Sequence, residues 1–259
     1  MSLAVRHIAF VSPLGGTGQT TVVANLASLW RASGHHCLAV DLCAQNSLGL
    51  HLGQSQSPAT GWATSVEAGT WWGEAALENS DLVQFLPFGS PAPQPAWANL
   101  NYALAQDPRW LATQLQATGL DDISLVLLDA PAWPHPLASQ ALQCADLVVV
   151  CLDATTRAQR LQAAVQALLA QAGPEAHTAL LATRFSPRRA SQRQAMESMQ
   201  QQWTGLLAPY VLHDDESVPA ALAAAHCVTA HAPQSQSAHD LNGIARWLLT
   251  QCELKAKSP

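Results

Sequence analysis

Charged side chains are scarce in this sequence, and their scarcity excludes some classes of function. Only 12% of the 259 residues are charged, against about a quarter in a typical soluble domain. No run of lysine or arginine is present, and the formal net charge is −6. A nucleic-acid-binding protein needs a basic patch to neutralise phosphates, so we expect no nucleic-acid partner.

Paired cysteines and long apolar runs are also missing. None of the six cysteines stands in a C-x-x-C pair, and the ten histidines show no zinc-binding spacing. We therefore expect reduced thiols in a cytoplasmic protein. The amino-terminal stretch is too short for a signal peptide, and no apolar run reaches the length of a membrane span.

Apolar residues make up 49% of the chain, and they form continuous runs separated by helix-patterned segments. Continuous runs indicate strands that are buried on both faces, and their alternation with helices indicates a parallel sheet. The sequence therefore predicts an α/β fold with a doubly wound, mostly parallel β-sheet and helices on both faces. It also predicts single helices over 100–117 and 155–172, and a final helix over 238–253.

A glycine-rich turn follows the first predicted strand. Gly15, Gly16 and Gly18 stand between that strand and a helix pattern, which brings several backbone N–H groups and the positive end of a helix dipole to one point. Such a turn is suited to an anion such as a nucleotide phosphate, but glycines can also serve only a tight strand-to-helix connection.

Aspartates at the ends of later strands favour the nucleotide interpretation, because ligands of parallel sheets bind at the carboxyl ends of the strands. Mg²⁺ is expected at Thr20, Asp41 and Asp129, mostly through water. Asp41 and Asp129 are the catalytic candidates, although neither is a firm assignment. The predicted nucleotide-binding residues are Gly15, Gly16, Thr17, Gly18, Gln19, Thr20 and Thr21.

The loop lacks the lysine that phosphate-binding loops carry, and position 19 holds Gln19. Loss of a charged hydrogen bond to phosphate costs about 1.5–3 kcal/mol, or roughly ten- to a hundred-fold in affinity. We expect the glutamine to donate a neutral hydrogen bond in its place. Hydrolysis should suffer more than binding, because charge grows on the phosphoryl oxygens in the transition state.

These segments resemble the ParA/MinD-like branch of P-loop NTPases, which has a deviant Walker A motif. "LGGTGQTT" is similar to the pattern K-G-G-x-G-K-T-T of these proteins. "VDLCAQNS" resembles the segment after their second strand, where D-x-D-P-Q is usual, and "LLDAPA" resembles their D-x-P switch. The segments "GWATSVEAGTWWGEAAL", "VQFLPFG" and "HDDESVPAALA" resemble the narrower BcsQ/YhjQ cellulose biosynthesis family.

The resemblance implies an ATP- and Mg²⁺-binding accessory protein of bacterial cellulose biosynthesis and secretion. It implies one ParA/MinD-like P-loop domain over 1–254, with 255–259 as a flexible tail. It also implies a nucleotide-dependent homodimer, a small operon-encoded partner protein, and contact with the cytosolic face of the inner-membrane cellulose synthase. The protein would then be cytoplasmic, and peripheral at the membrane through its partners.

Several positions depart from the pattern of these relatives. Leu14 and Gln19 replace the two lysines, Cys43 replaces the switch aspartate, and Thr183 replaces an asparagine that reads adenine. These departures imply weak or absent ATP hydrolysis. Arg157 and Arg160 could supply positive charge, but their place in an early helical turn favours exposure to solvent.

Two other functions stay open at this point. The chain could be a pseudo-NTPase scaffold that binds no nucleotide, or an active partitioning-type ATPase. The segment "HDDES" from His213 to Ser217 could be a catalytic cluster, or it could cap the next helix with Ser217 as the N-cap.

Overall fold

The computed structural model describes residues 5–90, 96–118 and 122–253, so the tail predicted at 255–259 lies outside the described residues. In this part of the chain, no helix is both long enough and apolar enough to cross a membrane. The strands are β1 (Arg6–Val11), β2 (Cys37–Asp41), β3 (Leu77–Glu78), β4 (Gln84–Leu86), β5 (Leu125–Asp129), β6 (Leu147–Asp153), β7 (His177–Phe185) and β8 (Leu207–His213).

The strands form one eight-stranded sheet in the order β3-β4-β2-β5-β1-β6-β7-β8. Every neighbouring pair is parallel except β3 with β4. The predicted α/β fold with a mostly parallel sheet is therefore confirmed. Because β1 lies in the middle of the sheet, the loop that follows it opens at the centre of the carboxyl edge, where parallel folds bind their ligands.

Helices cover both faces of the sheet. They are α1 (Gln19–Ala32), α2 (Leu48–His51), α3 (Trp62–Glu67), a 3₁₀ turn (Trp72–Ala75), α4 (Ala96–Gln106), α5 (Trp110–Ala117), α6 (Pro136–Cys144), α7 (Thr156–Gln159), α8 (Gln162–Leu169), α9 (Ala190–Gln202), α10 (Ser217–Ala223), α11 (Val228–His231) and α12 (Gln236–Glu253). One apolar cluster packs α1, α11 and α12 against the sheet, and a second packs α3, α5, α6 and α8 against the opposite face. The sheet is thus buried on both sides, as its continuous apolar strands require.

Two of the predicted helices are each two helices in the structure. The helix expected over 100–117 is broken between α4 and α5 at Pro108, which has no backbone N–H and disfavours helical backbone in the residue before it. Asp107 covers the break by accepting the Arg109 N–H at 3.1 Å. The helix expected over 155–172 is likewise divided into α7 and α8, since Arg160 and Leu161 donate to carbonyls only three residues back.

The helix that follows "HDDES" is capped by a different residue from the one predicted. Ser217 is the first residue of α10, and its N–H donates to Asp215 Oδ1 at 2.9 Å. The second oxygen of Asp215 accepts the Ser237 N–H at 2.9 Å. Ser217 is therefore not the N-cap, and the carboxylate of Asp215 joins the starts of α10 and α12.

Candidate functional site

The glycine turn forms an open cradle at the start of α1. Gly16 and Gly18 have φ of 74° and 79°, in the left-handed region that glycine adopts without strain. A Cβ placed on Gly15, Gly16 or Gly18 would meet no atom within 4 Å. The turn therefore leaves space for a ligand in front of the free N–H groups of a 14-residue helix, an arrangement that fits a phosphate chain.

A cleft of about 880 Å³ extends from this cradle. All seven of the predicted nucleotide-binding residues, from Gly15 to Thr21, lie in its wall. On one side the wall continues through Cys43, Gln45, Ser47, Ala130 and Ala132. On the other side it continues through Arg184, Arg189, the residues from Leu212 to Glu216, Val218, Pro219 and Leu222. The volume is suited to a ligand the size of a nucleotide, and binding by these residues stays a prediction.

Gln19 does not face the cradle as a free donor. Its side-chain nitrogen donates to Asp129 Oδ1 at 2.6 Å and to the Ala130 carbonyl at 2.7 Å. An amide nitrogen has two hydrogens, so both are used within the protein. In this arrangement the side chain links α1 to the end of β5, so the hydrogen bond from Gln19 to a phosphate stays a prediction and would require the amide to give up one of these partners.

Thr20 and Asp41 also have partners within the protein. The Thr20 hydroxyl donates to Asp129 Oδ2 at 2.7 Å. Asp41, which is fully buried, accepts the N–H groups of Cys43 at 2.9 Å and Leu48 at 3.0 Å. A Mg²⁺ ion at the predicted position would therefore have to compete with the Thr20–Asp129 bond, and Asp41 is suited to hold the backbone that follows β2.

Asp41, Cys43 and Asp129 meet beneath the cleft. One ligand atom from each lies within 4.8 Å of the others, because Asp41 and Asp129 are register partners at the ends of β2 and β5. Burial and then the charge of Asp129 raise the pKa of Asp41 to about 8. Burial raises the pKa of Asp129 to about 6, while hydrogen bonds from Thr20 and Gln19 oppose the rise. The free protein therefore keeps protons here that an exposed pair would lose.

These raised pKa values predict that the free protein loses stability as the pH rises. Both folded-state pKa values lie above the usual aspartate value of 3.8, so the folded state binds more protons than the unfolded chain between that value and about pH 8. The free energy of unfolding should fall by on the order of 5 kcal/mol between pH 5 and pH 8. Urea unfolding would measure it, with Asp41→Asn giving a flatter profile and the exposed Asp122→Asn leaving it unchanged. A flat wild-type profile would contradict the prediction.

Two residues near the carboxyl end of β7 brace the glycine turn instead of contacting a base. Thr183 is fully buried and its hydroxyl donates to the Thr17 carbonyl at 2.7 Å. Arg184, at a φ of 52°, donates to the Gly16 carbonyl at 2.9 Å. Thr183 is therefore unable to take the adenine-reading role of the asparagine it replaces without leaving these partners. Sequence reasoning missed Arg184 as a residue of the cleft.

The cations of the site also differ from those considered in the sequence. Arg157 pairs with Asp153 at 3.1 Å and is not among the residues that line the cleft. Arg184 and Arg189 line it instead, and Arg189 pairs with Asp214 at 3.0 Å. The positive charge of the cleft thus comes from Arg184 and Arg189, and no local sequence pattern predicts that these two residues line it.

His213 lies at the end of β8 in the same cleft wall. Asp240 Oδ2 accepts the His213 backbone N–H at 2.9 Å and lies 2.8 Å from its Nδ1. Gln236 donates to the other oxygen of Asp240 at 2.7 Å. A histidine and a buried aspartate from α12 are therefore joined at the edge of the candidate site.

Comparison with known proteins gives a family for this chain. The family model described as cellulose biosynthesis protein BcsQ matches residues 6–249. The BcsQ protein of Escherichia coli strain K12 is 26% identical over 249 residues, which cover 91% of this chain and 90% of that protein.

Solved structures with the same fold include nucleotide complexes. MinD from Pyrococcus horikoshii with Mg-ADP superposes with a TM-score of 0.75 at 21% identity, covering 98% of this chain and all of that one. A variant of McdA from Cyanothece with ATP gives a TM-score of 0.78 at 16% identity, covering 95% of this chain and 97% of that one. At these identities the likeness shows a ParA/MinD-like fold.

Proposed function

We propose, because the chain belongs to the BcsQ family of cellulose biosynthesis proteins, that it is an ATP-binding accessory protein of cellulose synthesis and secretion with little or no hydrolysis. The observation that carries the nucleotide part is the open cradle of Gly15–Thr21 in front of α1, continuous with a cleft of about 880 Å³. Backbone N–H groups and the helix dipole can hold phosphate there without a lysine.

Magnesium fits the residues present. When bound, the ion would neutralise charge on the phosphates. Thr20 is the residue suited to hold it directly, and Asp129 and Asp41 are suited to hold its water molecules. Binding would replace the Thr20–Asp129 hydrogen bond and would favour the ionised form of both carboxyls.

Weak hydrolysis follows from the side chains at the reacting end of the cleft. Leu14 packs against an apolar cluster of the sheet and carries no charge. Burial, together with the carboxyls of Asp129 and Asp41, raises the pKa of Cys43 well above its usual value, so this group remains a neutral thiol. A neutral thiol and a tied amide at Gln19 cannot position water or stabilise the transferred phosphoryl group as a carboxylate and an ammonium would.

We propose further that the protein acts as a homodimer on the cytosolic face of the inner membrane, with the nucleotide at the dimer interface. Its partners would be a small operon-encoded protein and the cellulose synthase itself. Nucleic acid is not proposed as a partner, because the sequence has a net charge of −6 and no basic run. Pull-down of the synthase subunits with and without ATP would test the partner part.

The nucleotide part is tested by titrating a fluorescently labelled ATP with Mg²⁺. We expect saturable binding in the micromolar to millimolar range, weakened about ten-fold by Thr20→Ala through loss of the metal-binding hydroxyl. Thr204→Ala, an exposed threonine at the end of α9, should leave the affinity unchanged. Released phosphate should stay near background in the same samples.

A pseudo-NTPase scaffold is the second candidate, and the bonds from Gln19 and Thr20 to Asp129 favour it, since they hold the loop without a ligand. Absence of binding at millimolar ATP, with dimers and partner capture intact in Thr20→Ala, would support the scaffold. Rapid Mg²⁺-dependent turnover that is sensitive to Asp41 would instead support an active partitioning-type ATPase.

A further inference from the structure

The two sides of the cleft differ in chemistry. In the sheet, β2 and β5 lie to one side of β1, and β7 and β8 lie to the other. The carboxyls suited to a metal-bound phosphate chain, Asp41 and Asp129, end the first pair of strands. The β8 side of the wall contains the apolar side chains Leu212, Val218, Pro219 and Leu222. A nucleotide with its phosphates in the cradle would therefore direct its base toward β8.

Acidic residues strengthen this polarity. Asp214, Asp215 and Glu216 line the β8 side of the cleft, where Arg189 pairs with Asp214 at 3.0 Å, and the other cation of this wall, Arg184, is held at the glycine turn by the Gly16 carbonyl. The negative charges of Asp215 and Glu216 repel a phosphate chain but do not oppose an uncharged ring. The β8 side is thus suited to a planar base held between apolar and polar groups.

His213 presents a defined edge to this part of the cleft. Its Nδ1 lies 2.8 Å from Asp240 Oδ2, and an ionised carboxylate can only accept, so Nδ1 carries the hydrogen. In the neutral imidazole the opposite nitrogen, Nε2, is then a hydrogen-bond acceptor. The ring also contacts Phe185, with ring centroids 5.6 Å apart, so it is held from two sides.

Asp240 is itself fixed. It is 6% exposed, it accepts the His213 backbone N–H, and it accepts from Gln236 at 2.7 Å. Within the described ranges, the His213 ring is hydrogen-bonded to Asp240 through Nδ1. This bond leaves Nε2 for a ligand. An acceptor that is oriented before binding discriminates well against ligands that present another acceptor.

We propose that His213, oriented by Asp240, is the specificity-determining residue for the base, and that its Nε2 accepts a hydrogen bond from the 6-amino group of adenine. The inference rests on the proposed nucleotide function and deepens it. A purine with an oxygen at the same position, as in inosine or guanosine triphosphate, would set one lone pair against another. The protein would then prefer adenine nucleotides although Thr183 cannot read the base.

The test compares labelled ATP with labelled inosine triphosphate, both with Mg²⁺. Wild type should bind ATP about ten-fold more tightly, the range of one neutral hydrogen bond. His213→Phe keeps a ring beside Phe185 and leaves Asp240 its bonds to Gln236 and the backbone. It should bind the two nucleotides with equal affinity, because a phenyl ring neither accepts from the amino group nor opposes the oxygen. His226→Phe, an exposed histidine that does not line the cleft, should keep the wild-type preference.

The possible outcomes distinguish a failure of this inference from a failure of the proposed nucleotide-binding function. Equal binding of both nucleotides by wild type, a preference for inosine triphosphate, or an unchanged preference in folded His213→Phe would overturn the base-reading role alone. Failure of wild type to bind either nucleotide would overturn the proposed function and this inference with it. Thermal unfolding of each variant shows that it is folded before its affinities are compared.

Discussion

Replacing Gly18 by alanine is expected to weaken ATP binding by roughly a hundred-fold or more. Gly18 has a φ of 79° and ends the turn immediately before α1. Its carbonyl accepts the Val22 N–H at 3.1 Å, which begins the helix. A left-handed backbone costs about 1–2 kcal/mol for a residue with a Cβ, so alanine would shift the turn and misdirect the N–H groups that face the phosphates. Titration with labelled ATP measures the loss.

Gly205 offers a matched control for the loss of stability that alanine causes in left-handed backbone. It has a φ of 83°, and a Cβ there would also meet no atom within 4 Å. It precedes β8, so it lies at the amino edge of the sheet, opposite the cleft. Gly205→Ala should lose as much stability as Gly18→Ala and keep its affinity for ATP. Equal affinity losses in the two variants would show that the effect is one of general stability.

Restoring charge at positions 19 and 43 together is expected to raise ATP turnover well above that of the native chain, for which we propose little or none. Cys43→Asp alone should destabilise the protein by about 2–4 kcal/mol, since it adds a third buried carboxyl beside Asp41 and Asp129. Gln19→Lys places an ammonium next to Asp129 and should recover at least half of that loss. The double variant should also bind ATP roughly ten- to a hundred-fold more tightly than wild type.

A double-mutant cycle measures this coupling. Urea unfolding of both single variants and the double variant should give an interaction free energy of at least about 1 kcal/mol, and phosphate release should rise only in the double variant. Cys43→Ser, which adds no charge, serves as the control. Additive effects on stability would mean that the two positions do not compensate each other, and the loss of a lysine and an aspartate in one chain would need another explanation.

The sheet was predictable because strands that are buried on both faces consist of continuous apolar runs, which are easy to recognise in a sequence. The strand around Leu127 and the strand around Val149 are uninterrupted apolar runs, and each ends on an aspartate. The glycine turn was predictable for a related reason, since only glycine adopts the backbone found at Gly16 and Gly18 without strain. Both features are local, so a short stretch of sequence is enough to predict each of them.

The contacts within the site were not predictable, because their partners are far apart in the chain. Arg184 donates to a carbonyl 168 residues away, and His213 meets Asp240 across 27 residues. Helix α6 was not among the predicted helices, and it begins at a proline. Pro136 in fact occupies the first turn of the helix, where proline is tolerated, and the His135 ring accepts the Leu137 N–H at 3.2 Å.

The last helix contributes to the wall of the cleft as well as to the core. Asp240 orients His213, and the Ser237 N–H holds Asp215, so both cleft residues depend on partners from α12. During synthesis, these partners emerge from the ribosome after every other part of the cleft. A growing chain that has already folded its glycine turn therefore still has an unfinished far wall, and this wall is completed only when α12 has been synthesised and has packed against β8.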